Sequence, residues 1–322
     1  MNVFVAAYLA VLGALACIGN ATAADAYPAR PIRWIVPYPP GGTTDILARI
    51  MGQRLSEKLG QQVLIDNRPG AGNNIGTEIA IKSTPDGYTV FLVNPANAIN
   101  ATLYTNLPFN FLRDMAPVAG MVRVPNVMEV TVSLPPKSVA EFITYAKASP
   151  GKVILASSGS GTSVHLSGEL FMLMTGIKMT HVPYKGAGPV FPDLIGGQVH
   201  VMFDNMPSSI EFIRSGKLRA LAVTTAKRSS QLPNVPTVAE TVPGYEASAW
   251  FGMGAPKGTP ANIVDKLNRE INDALADPKM KARLAELGGD PIAGTPADFW
   301  KIHTYETEKW AKVVKSSGAK VE

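Results

Sequence analysis

Short apolar segments that predict strands alternate with amphipathic segments that predict helices along most of the chain. Three such units lie between Pro31 and Val93, with helices expected from Asp45 and over residues 75–82. A glycine- or proline-rich loop follows each predicted strand. This order is typical of mostly parallel sheets covered by helices. We therefore expect an α/β fold.

The same alternation restarts in the second half of the chain. Further strands are predicted at 128–132, 152–156, 179–182, 199–203 and 218–223, and helices at 138–148, 163–175, 262–276, 279–287 and 297–314, with an irregular connection over 229–249 that leads to 250–255. One hydrophobic core stops growing at about 250–300 residues, so the 322 residues predict two lobes. We expect the C-terminal helices to return to the first lobe. Lobe 1 then comprises residues 25–127 and 251–322, and lobe 2 comprises residues 128–250.

The N-terminus has the pattern of a secretory signal. Residues 3–18 form one apolar run of sixteen residues, followed by small residues. This is shorter than the ~20 residues that cross a bilayer, and cleavage is expected before Ala24 or Asp25. We predict a signal peptide at residues 1–24 and export to the periplasm. A short membrane anchor and a lipoprotein acylated at Cys17 are the alternatives.

Composition excludes several classes of protein. Hydrophobic residues make up 46% and charged residues 17% of the chain, which excludes a disordered chain and a coiled coil. The 30 basic residues are scattered rather than arranged in a stripe, so we expect no nucleic-acid partner. Cys17 lies inside the predicted signal, and the four histidines lack metal-ligand spacing. We predict no metal, no cofactor and no catalytic residue.

The loop Tyr38–Asp45 (YPPGGTTD) joins a predicted strand to a predicted helix. The N–H groups at a helix N-terminus are unpaired and carry partial positive charge. Gly41 and Gly42 let the backbone approach a ligand, and Thr43 adds a hydroxyl. The loop is either a cradle for an anion or carboxylate, or a capped helix after a tight turn.

The loop Ser157–Ser163 (SSGSGTS) has the same position between a strand and a helix. It lacks the lysine of a phosphate-binding P-loop, the third glycine of a dinucleotide fingerprint and the Gly-x-Ser-x-Gly of a nucleophile elbow. It is either a second anion cradle or a flexible surface loop.

Three further polar segments follow predicted strands: 94–97, 182–186 and 203–207. Ligands of open α/β sheets bind at the carboxyl ends of strands, so Asp204 and Asn205 are candidate contacts or, alternatively, turn and cap residues. His165 either lines the cleft or is a hydrogen-bonded residue of its helix.

An ordered set of motifs resembles the Bug-type solute receptors of tripartite tricarboxylate transporters. The motifs are Tyr27-Pro-x-Arg-Pro-Ile, the loop Tyr38–Asp45, Asn67-Arg-Pro-Gly-Ala-Gly72, Pro85-Asp-Gly-Tyr88, His181-Val-Pro-Tyr-Lys-Gly186, Ile195-Gly-Gly-Gln-Val199 and Pro256-x-Gly-Thr-Pro260. They cover the whole mature chain in the family's order.

The resemblance implies a type II periplasmic-binding-protein fold (a Venus flytrap), with two hinged lobes that each contain a mixed, mostly parallel sheet. It implies a monomeric receptor, not an enzyme, that holds a small carboxylate between the lobes and passes it to a membrane permease. A periplasmic sensor and a secreted hydrolase are the alternatives. The contacts implied by matching positions are Tyr38, Gly41, Gly42, Thr43, Asp45, Ala96, Asn97, Ser158, Gly159, Ser160, Gly161, Thr162, His165 and Asp204.

Overall fold

The computed structural model describes residues 27–319, which form one mixed sheet with helices on both faces. The predicted signal peptide lies outside these residues. The strands are β1 (Ile32–Val36), β2 (Val63–Asn67), β3 (Thr89–Val93), β4 (Met115–Thr131), β5 (Ile154–Ser157), β6 (Thr180–Pro183), β7 (Val201–Asn205), β8 (Leu218–Val223), β9 (Ser248–Pro256) and β10 (Asp290–Pro291).

The helices connect these strands and close the chain. They are α1 (Thr43–Leu59), α2 (Asn74–Ile81), α3 (Pro95–Leu103), α4 (Phe111–Asp114), α5 (Val139–Ala148), α6 (Ser163–Thr175), α7 (Val190–Gly196), α8 (Met206–Arg214), α9 (Ala261–Ala276), α10 (Pro278–Glu286) and α11 (Pro296–Ser317), with single 3₁₀ turns at Ala71–Asn73 and Val238–Glu240. Within residues 27–319, no helix is long and apolar enough to cross a membrane.

Strand β4 divides the sheet into two sections. The strand order is β2-β1-β3-β9-β4-β7-β5-β6, and β8 and β10 also pair with β4. Up to Pro125, β4 pairs with β9, and from Asn126 it pairs with β7. We call β1, β2, β3, β9 and β10 the first section and β5–β8 the second section. Pairing is parallel around β1 and β5 and antiparallel at β4 and β9.

Strand β1 shows why the first section is covered on both faces. Trp34 and Ile35 are neighbours in sequence and are both fully buried, yet they belong to different hydrophobic clusters. Successive side chains of a strand point to opposite faces, so Trp34 packs with the apolar residues of α1, and Ile35 packs with Phe91 and Trp250. This packing fixes the end of β1, and with it the loop that begins at Tyr38.

The C-terminal helix α11 packs on both sections. Phe299 lies in the cluster of the first section that contains Trp250. Trp310, at 0% exposure, lies in a cluster with Phe142 and Phe171 of the second section. Helices α9 and α10 pack only into the cluster around Trp34. Helix α11 therefore contacts both sections, and it packs against α3 and α6.

The predicted elements differ from the observed ones mainly at β4. The sequence predicted a strand over residues 128–132, whereas the strand spans Met115–Thr131. Pro117, Gly120 and Pro125 interrupt its apolar pattern, and prolines are normally confined to sheet edges or bulges. The pairing with β9 shifts register between Pro117 and Ala119, which accommodates the first proline.

Candidate functional site

The two loops that the sequence singled out meet in one buried crevice between the two sections. Residues from both sections line it: Tyr38, Gly42, Thr43, Thr44, Asn94, Pro95, Ser158, Thr162, Ser163, Ala187, Asp204, Asn205 and Phe251. The two sides approach each other closely at Gly42, since a Cβ added to this residue would lie 3.7 Å from Cβ of Ala187. The prediction of two facing loops corresponds to this arrangement.

Helix α1 presents an uncapped N-terminus to the crevice. Gly42 occupies the N-cap position of this helix, and the described residues provide no capping hydrogen bond from a side chain. The N–H of Ile46 donates to the Gly42 carbonyl at 3.0 Å, but the described residues provide no acceptor for the N–H groups of Thr43 and Thr44. Free N–H groups and the positive end of the helix dipole form a site for an anion.

The loop before α6 supplies the opposite wall. Thr162 caps this helix, because its hydroxyl accepts from the N–H of His165 at 3.2 Å and donates to the Gly159 carbonyl at 2.7 Å. Gly159 and Gly161 have φ values of +128° and +82°, which favour glycine. The resulting turn exposes Ser158 and Thr162 to the crevice.

Asp204 lies at the end of β7 and carries its carboxyl group into the crevice lining. Its Oδ2 accepts from the hydroxyls of Ser208 (2.5 Å) and Ser209 (2.8 Å), whereas its Oδ1 has no partner among the described residues. Burial raises the pKa of Asp204 to about 6. The group therefore binds a proton more readily than an exposed aspartate does.

A second buried carboxyl group lies behind Asp204. Oε1 of Glu129 lies 3.0 Å from the hydroxyl oxygen of Ser209, and burial followed by the charge of Asp204 raises the pKa of Glu129 well above its usual range. Ser209 has one hydroxyl proton, so it cannot donate to both carboxylates at once. The geometry favours a protonated Glu129 that donates to Ser209, which in turn donates to Asp204.

One hydroxyl pair crosses the crevice. Oγ1 of Thr43, at the start of α1, lies 2.9 Å from Oγ of Ser208, which belongs to α8. Because the Ser208 hydroxyl donates to Asp204, Thr43 is the donor of this pair. The start of α1 is thereby connected to the carboxyl group on the opposite side.

Gly41, Asp45, Ala96 and Asn97, four of the residues implied by the resemblance, take part in hydrogen bonds with other residues of the protein. Asp45 accepts from Arg49 (2.9 Å), Asn67 (3.1 Å) and the N–H of Gly41 (3.1 Å). Ala96 and Asn97 belong to the capping box of α3: the N–H of Ala96 donates to Asn94 Oδ1 at 3.1 Å, and Asn97 Oδ1 accepts from the N–H of Asn94 at 3.0 Å. These contacts stabilise the walls of the site.

His165 is also held within the protein. Its Nδ1 accepts from the N–H of Gly161 at 3.2 Å, and its ring stacks on His181 with 4.0 Å between the ring centroids. Burial, followed by the neighbouring His165, lowers the pKa of His181 to about 3. The hydrogen bond from Gly161 to His165 and the stacking of His165 on His181 together stabilise the turn before α6.

Gly159 and Ser160 line an outer cavity of about 440 Å³ that adjoins the crevice. The outer cavity shares Tyr38 and Ser158 with the crevice and is bordered on its far side by Tyr104 and Lys185. Lys185 is the one charged residue in the described lining of this cavity. Because they share these two residues, we treat the crevice and the outer cavity together as the candidate site.

Several lining residues were not among the predicted contacts. Thr44, Asn94, Pro95 and Ser163 are immediate neighbours of predicted segments or lie within them, so the end of a predicted strand was the available signal. Ala187 and Phe251 reach the crevice through strand pairing and loop contacts between distant parts of the chain. Local sequence carries no signal for such contacts.

The fold and the site together define a solute-binding protein of the periplasmic kind. One strand shared by two sheet sections, with a helix N-terminus on one side and a hydroxyl-rich loop on the other, encloses a small polar crevice. Within residues 27–319, no three His, Cys, Asp or Glu side chains are grouped closely enough to hold a metal ion.

Residues 47–319 match the model of the tripartite tricarboxylate transporter family receptor, and the chain belongs to this family. It is 43% identical over 319 residues to protein BugT of Bordetella pertussis, covering 97% of this chain and 98% of BugT. The predicted Bug-type family membership is thereby confirmed.

Solved structures of the same kind confirm the predicted fold. Rpa4515 of R. palustris, solved with adipate, has a TM-score of 0.90 and 42% identity, covering 92% of this chain and 100% of that one. The periplasmic binding protein BugD has a TM-score of 0.88 and 34% identity, with coverage of 92% and 100%. MatC of Rhodopseudomonas palustris, solved with bound malate, has a TM-score of 0.86 and 30% identity, with coverage of 89% and 100%.

Proposed function

We propose that the protein binds a small carboxylate in the crevice and delivers it to a membrane permease. The observation that carries this proposal is the uncapped N-terminus of α1, which faces the hydroxyl of Ser158 in a buried space. A carboxylate oxygen accepts from both kinds of donor. Charge-assisted hydrogen bonds of this type are roughly twice as strong as neutral ones.

The dimensions of the site indicate a ligand with a second polar end. The crevice has only about 30 Å³ of free space, enough for one carboxyl group, whereas the outer cavity has about 440 Å³. Lys185 at the outer cavity is suited to a second carboxylate. The adipate and malate bound to two related structures are both dicarboxylates, which supports a linear dicarboxylate as the ligand.

Asp204 has a defined role in this proposal. An anion placed beside its free Oδ1 raises the pKa of Asp204 further above about 6, because a second negative charge disfavours ionisation. The protonated Oδ1 then donates a hydrogen bond to the ligand. The residue acts as a donor, and not as a repelling charge.

We propose lobe boundaries that follow from strand β4. Residues 25–127 and 251–322 form lobe 1, and residues 128–250 form lobe 2. The exchange of β4 from β9 to β7 after Pro125 and the end of β9 pairing at Ser248 support boundaries close to these positions. Rotation at these two crossings opens and closes the crevice around the ligand.

We propose that residues 1–24 are removed on export and that the protein acts in the periplasm. We further propose that it is a monomeric receptor and not an enzyme. The membership of a receptor family supports this proposal. The permease partner is the membrane component of the transporter, which accepts the liganded, closed form.

Thermal melting against a panel of carboxylates tests the function. The panel contains acetate, benzoate, succinate, malate, adipate, citrate and phthalate, together with adipamide as an uncharged control. A ligand present at ~100 times its dissociation constant stabilises the folded state by about 2.7 kcal/mol. We expect at least one dicarboxylate to raise the melting temperature and adipamide to leave it unchanged. No shift with any carboxylate would overturn the proposed ligand class.

A further inference from the structure

We propose that the crevice selects a ligand with a hydroxyl group on the carbon next to its carboxylate, and that Asn205 recognises this hydroxyl. This inference rests on the proposed function and deepens it, because it concerns the same site. Asn205 is the last residue of β7, lines the crevice and is 9% exposed. The atom concerned is its side-chain oxygen Oδ1, which can only accept a hydrogen bond.

The orientation of the Asn205 amide is fixed by Asn126. Asn126 is fully buried, and its Nδ2 donates to the Phe203 carbonyl at 2.8 Å. A carbonyl oxygen only accepts, so the other amide atom of Asn126, Oδ1, is the one that faces Asn205. Asn205 therefore presents its nitrogen on this side, where Nδ2 donates to Asn126 Oδ1 at 2.9 Å and to Ser163 Oγ at 3.2 Å. Both N–H bonds of this amide are used within the protein.

Oδ1 of Asn205 accepts no hydrogen bond from the described residues. Asn205 occupies the N-cap position of α8, where an asparagine oxygen normally accepts from the first turn, yet its side chain makes no capping bond. This oxygen is also absent from the fully enclosed unpaired atoms of residues 27–319, so it retains accessible surface. Asn205 is nine-tenths buried and lines the crevice but not the outer cavity. The free oxygen is therefore open to a ligand in the crevice.

A free acceptor inside a site for an anion points to a donor on the ligand. An ionised carboxylate has no proton to donate, so its own oxygens cannot pair with Oδ1 of Asn205. The hydroxyl of a 2-hydroxy acid lies on the carbon next to the carboxylate and enters the crevice with it. It donates one hydrogen bond, which matches one free acceptor, whereas an ammonium group donates three. The ligand class assigned here is accordingly a 2-hydroxydicarboxylate.

The fixed position of Asn205 makes the site selective. Its amide cannot turn towards another donor without breaking the bonds to Asn126 and Ser163. A ligand that lacks the hydroxyl leaves Oδ1 without water and without a partner once the crevice is closed. Sites that bond a substrate hydroxyl disfavour the analogue without it for this reason.

Calorimetric titration with malate and succinate, which differ by one hydroxyl, tests the inference. We expect one enantiomer of malate to bind the wild type at least about tenfold more tightly than succinate, and more tightly than either enantiomer of aspartate. Equal or tighter binding of succinate would overturn the assignment, and so would tighter binding of aspartate. A crevice in which only water pairs with Asn205 gives equal binding of malate and succinate.

Two further outcomes separate this inference from the proposed function. If another carboxylate of the panel binds and malate does not, the 2-hydroxy assignment is wrong and the proposed function stands. If no carboxylate binds, the proposed function itself is wrong, and the assignment falls with it.

One variant and a matched control test the role of Asn205. In Asn205→Ala the acceptor is gone, so we expect the preference for malate over succinate to fall to about one. General damage to the crevice would weaken both ligands and leave this ratio unchanged. Asn268→Ala removes an amide on α9 that donates to the Val118 and Gly294 carbonyls, and it should keep the wild-type ratio.

A wild-type ratio in folded Asn205→Ala would overturn the role of Asn205. If this variant does not fold, the comparison of malate with succinate in the wild type decides alone.

Discussion

Asp204 and Glu129 place two carboxyl groups in the interior of the molecule, with the single hydroxyl of Ser209 between them. Both groups are at most 1% exposed. Desolvation disfavours the charged form of an acid and raises its pKa. The pKa of Asp204 is about 6 in the folded protein, against 3.8 for an exposed aspartate. The folded protein therefore binds this proton more tightly than the unfolded chain does, and stability depends on pH.

The free energy of unfolding is expected to fall as Asp204 loses its proton. The stabilising effect of the proton on Asp204 is fully present below pH 3.8 and is lost as the pH rises through about 6. The loss is on the order of 2–3 kcal/mol. We expect Asp204→Asn, which stays uncharged, to lack this loss, so that its stability relative to the wild type increases between pH 4 and pH 6.

Urea denaturation of both proteins at several pH values measures this difference. Glu129 is retained in both proteins, but its pKa is lower in Asp204→Asn because the charge of Asp204 is gone, so the difference between the curves reports the coupled pair. Parallel curves for the wild type and Asp204→Asn over the whole range would show that the carboxyl group of Asp204 does not pay a burial penalty.

The sequence predicted about half of the residues that line the crevice, but not the way each one is used. Gly42, Thr43, Ser158 and Thr162 were expected as contacts, and they line it. Asp45 was expected as well, but its carboxylate is occupied by hydrogen bonds from Gly41, Arg49 and the more distant Asn67. Residue type and position show that a polar group is near the site, whereas its hydrogen-bond partners depend on residues distant in sequence.

At the scale of elements, the turn before α6 and the helix α3 come into contact across the boundary between the two sections. Gly161 has a φ of +82°, and an added Cβ would overlap Oδ1 of Asn100. Asn100 cannot easily move away, because its amide is bound to Gly72 and Asn74. The two elements approach this closely only when residue 161 has no side chain.

This close approach predicts a selective effect on ligand affinity. We expect Gly161→Ala to weaken binding of the best carboxylate by at least about tenfold, because the methyl group opposes closure at a cost above about 1.4 kcal/mol. Gly151→Ala is the matched control: its φ is +76°, but nothing lies within 4 Å of an added Cβ. Both variants carry similar backbone strain, and only the first loses affinity.

Calorimetric titration of the two glycine variants measures the difference, and their melting temperatures report the shared strain. Equal affinities for Gly161→Ala and Gly151→Ala would mean that the contact between α3 and the α6 turn has no part in binding.

Helix α3 illustrates what the sequence pattern does not show at this scale. The segment Asn94–Asn97 was singled out as a polar segment after a strand, with no helix predicted, and it forms the cap and first turn of a helix. Asn94 is the cap, Pro95 occupies the first helical position and Asn97 completes the capping box. Asn and Pro are common both in turns and at helix starts. The apolar residues that follow pack partly against the second section, which local periodicity does not reveal.

At the scale of the whole molecule, the two sections are joined by β4, β9 and α11, while the crevice lies between their polar loops. Alternating strands and helices predicted the α/β fold because that pattern is local. The return of α11 to both cores was beyond such a prediction, since it rests on contacts such as those of Trp310 with residues far away in the chain. The account requires that each section contribute donors to one bound carboxylate.

Calorimetric titration of the tightest carboxylate of the panel into the wild type, Thr43→Pro and Ser158→Ala tests this requirement most directly. Proline is tolerated at the first helical position but has no N–H, so Thr43→Pro removes a free backbone donor of the first section, whereas Ser158→Ala removes the hydroxyl donor of the second. A hydrogen bond to a charged group contributes about 1.5–3 kcal/mol. We predict one ligand per chain in the wild type and at least about a tenfold loss of affinity in each variant. Wild-type affinity in either variant would contradict the account.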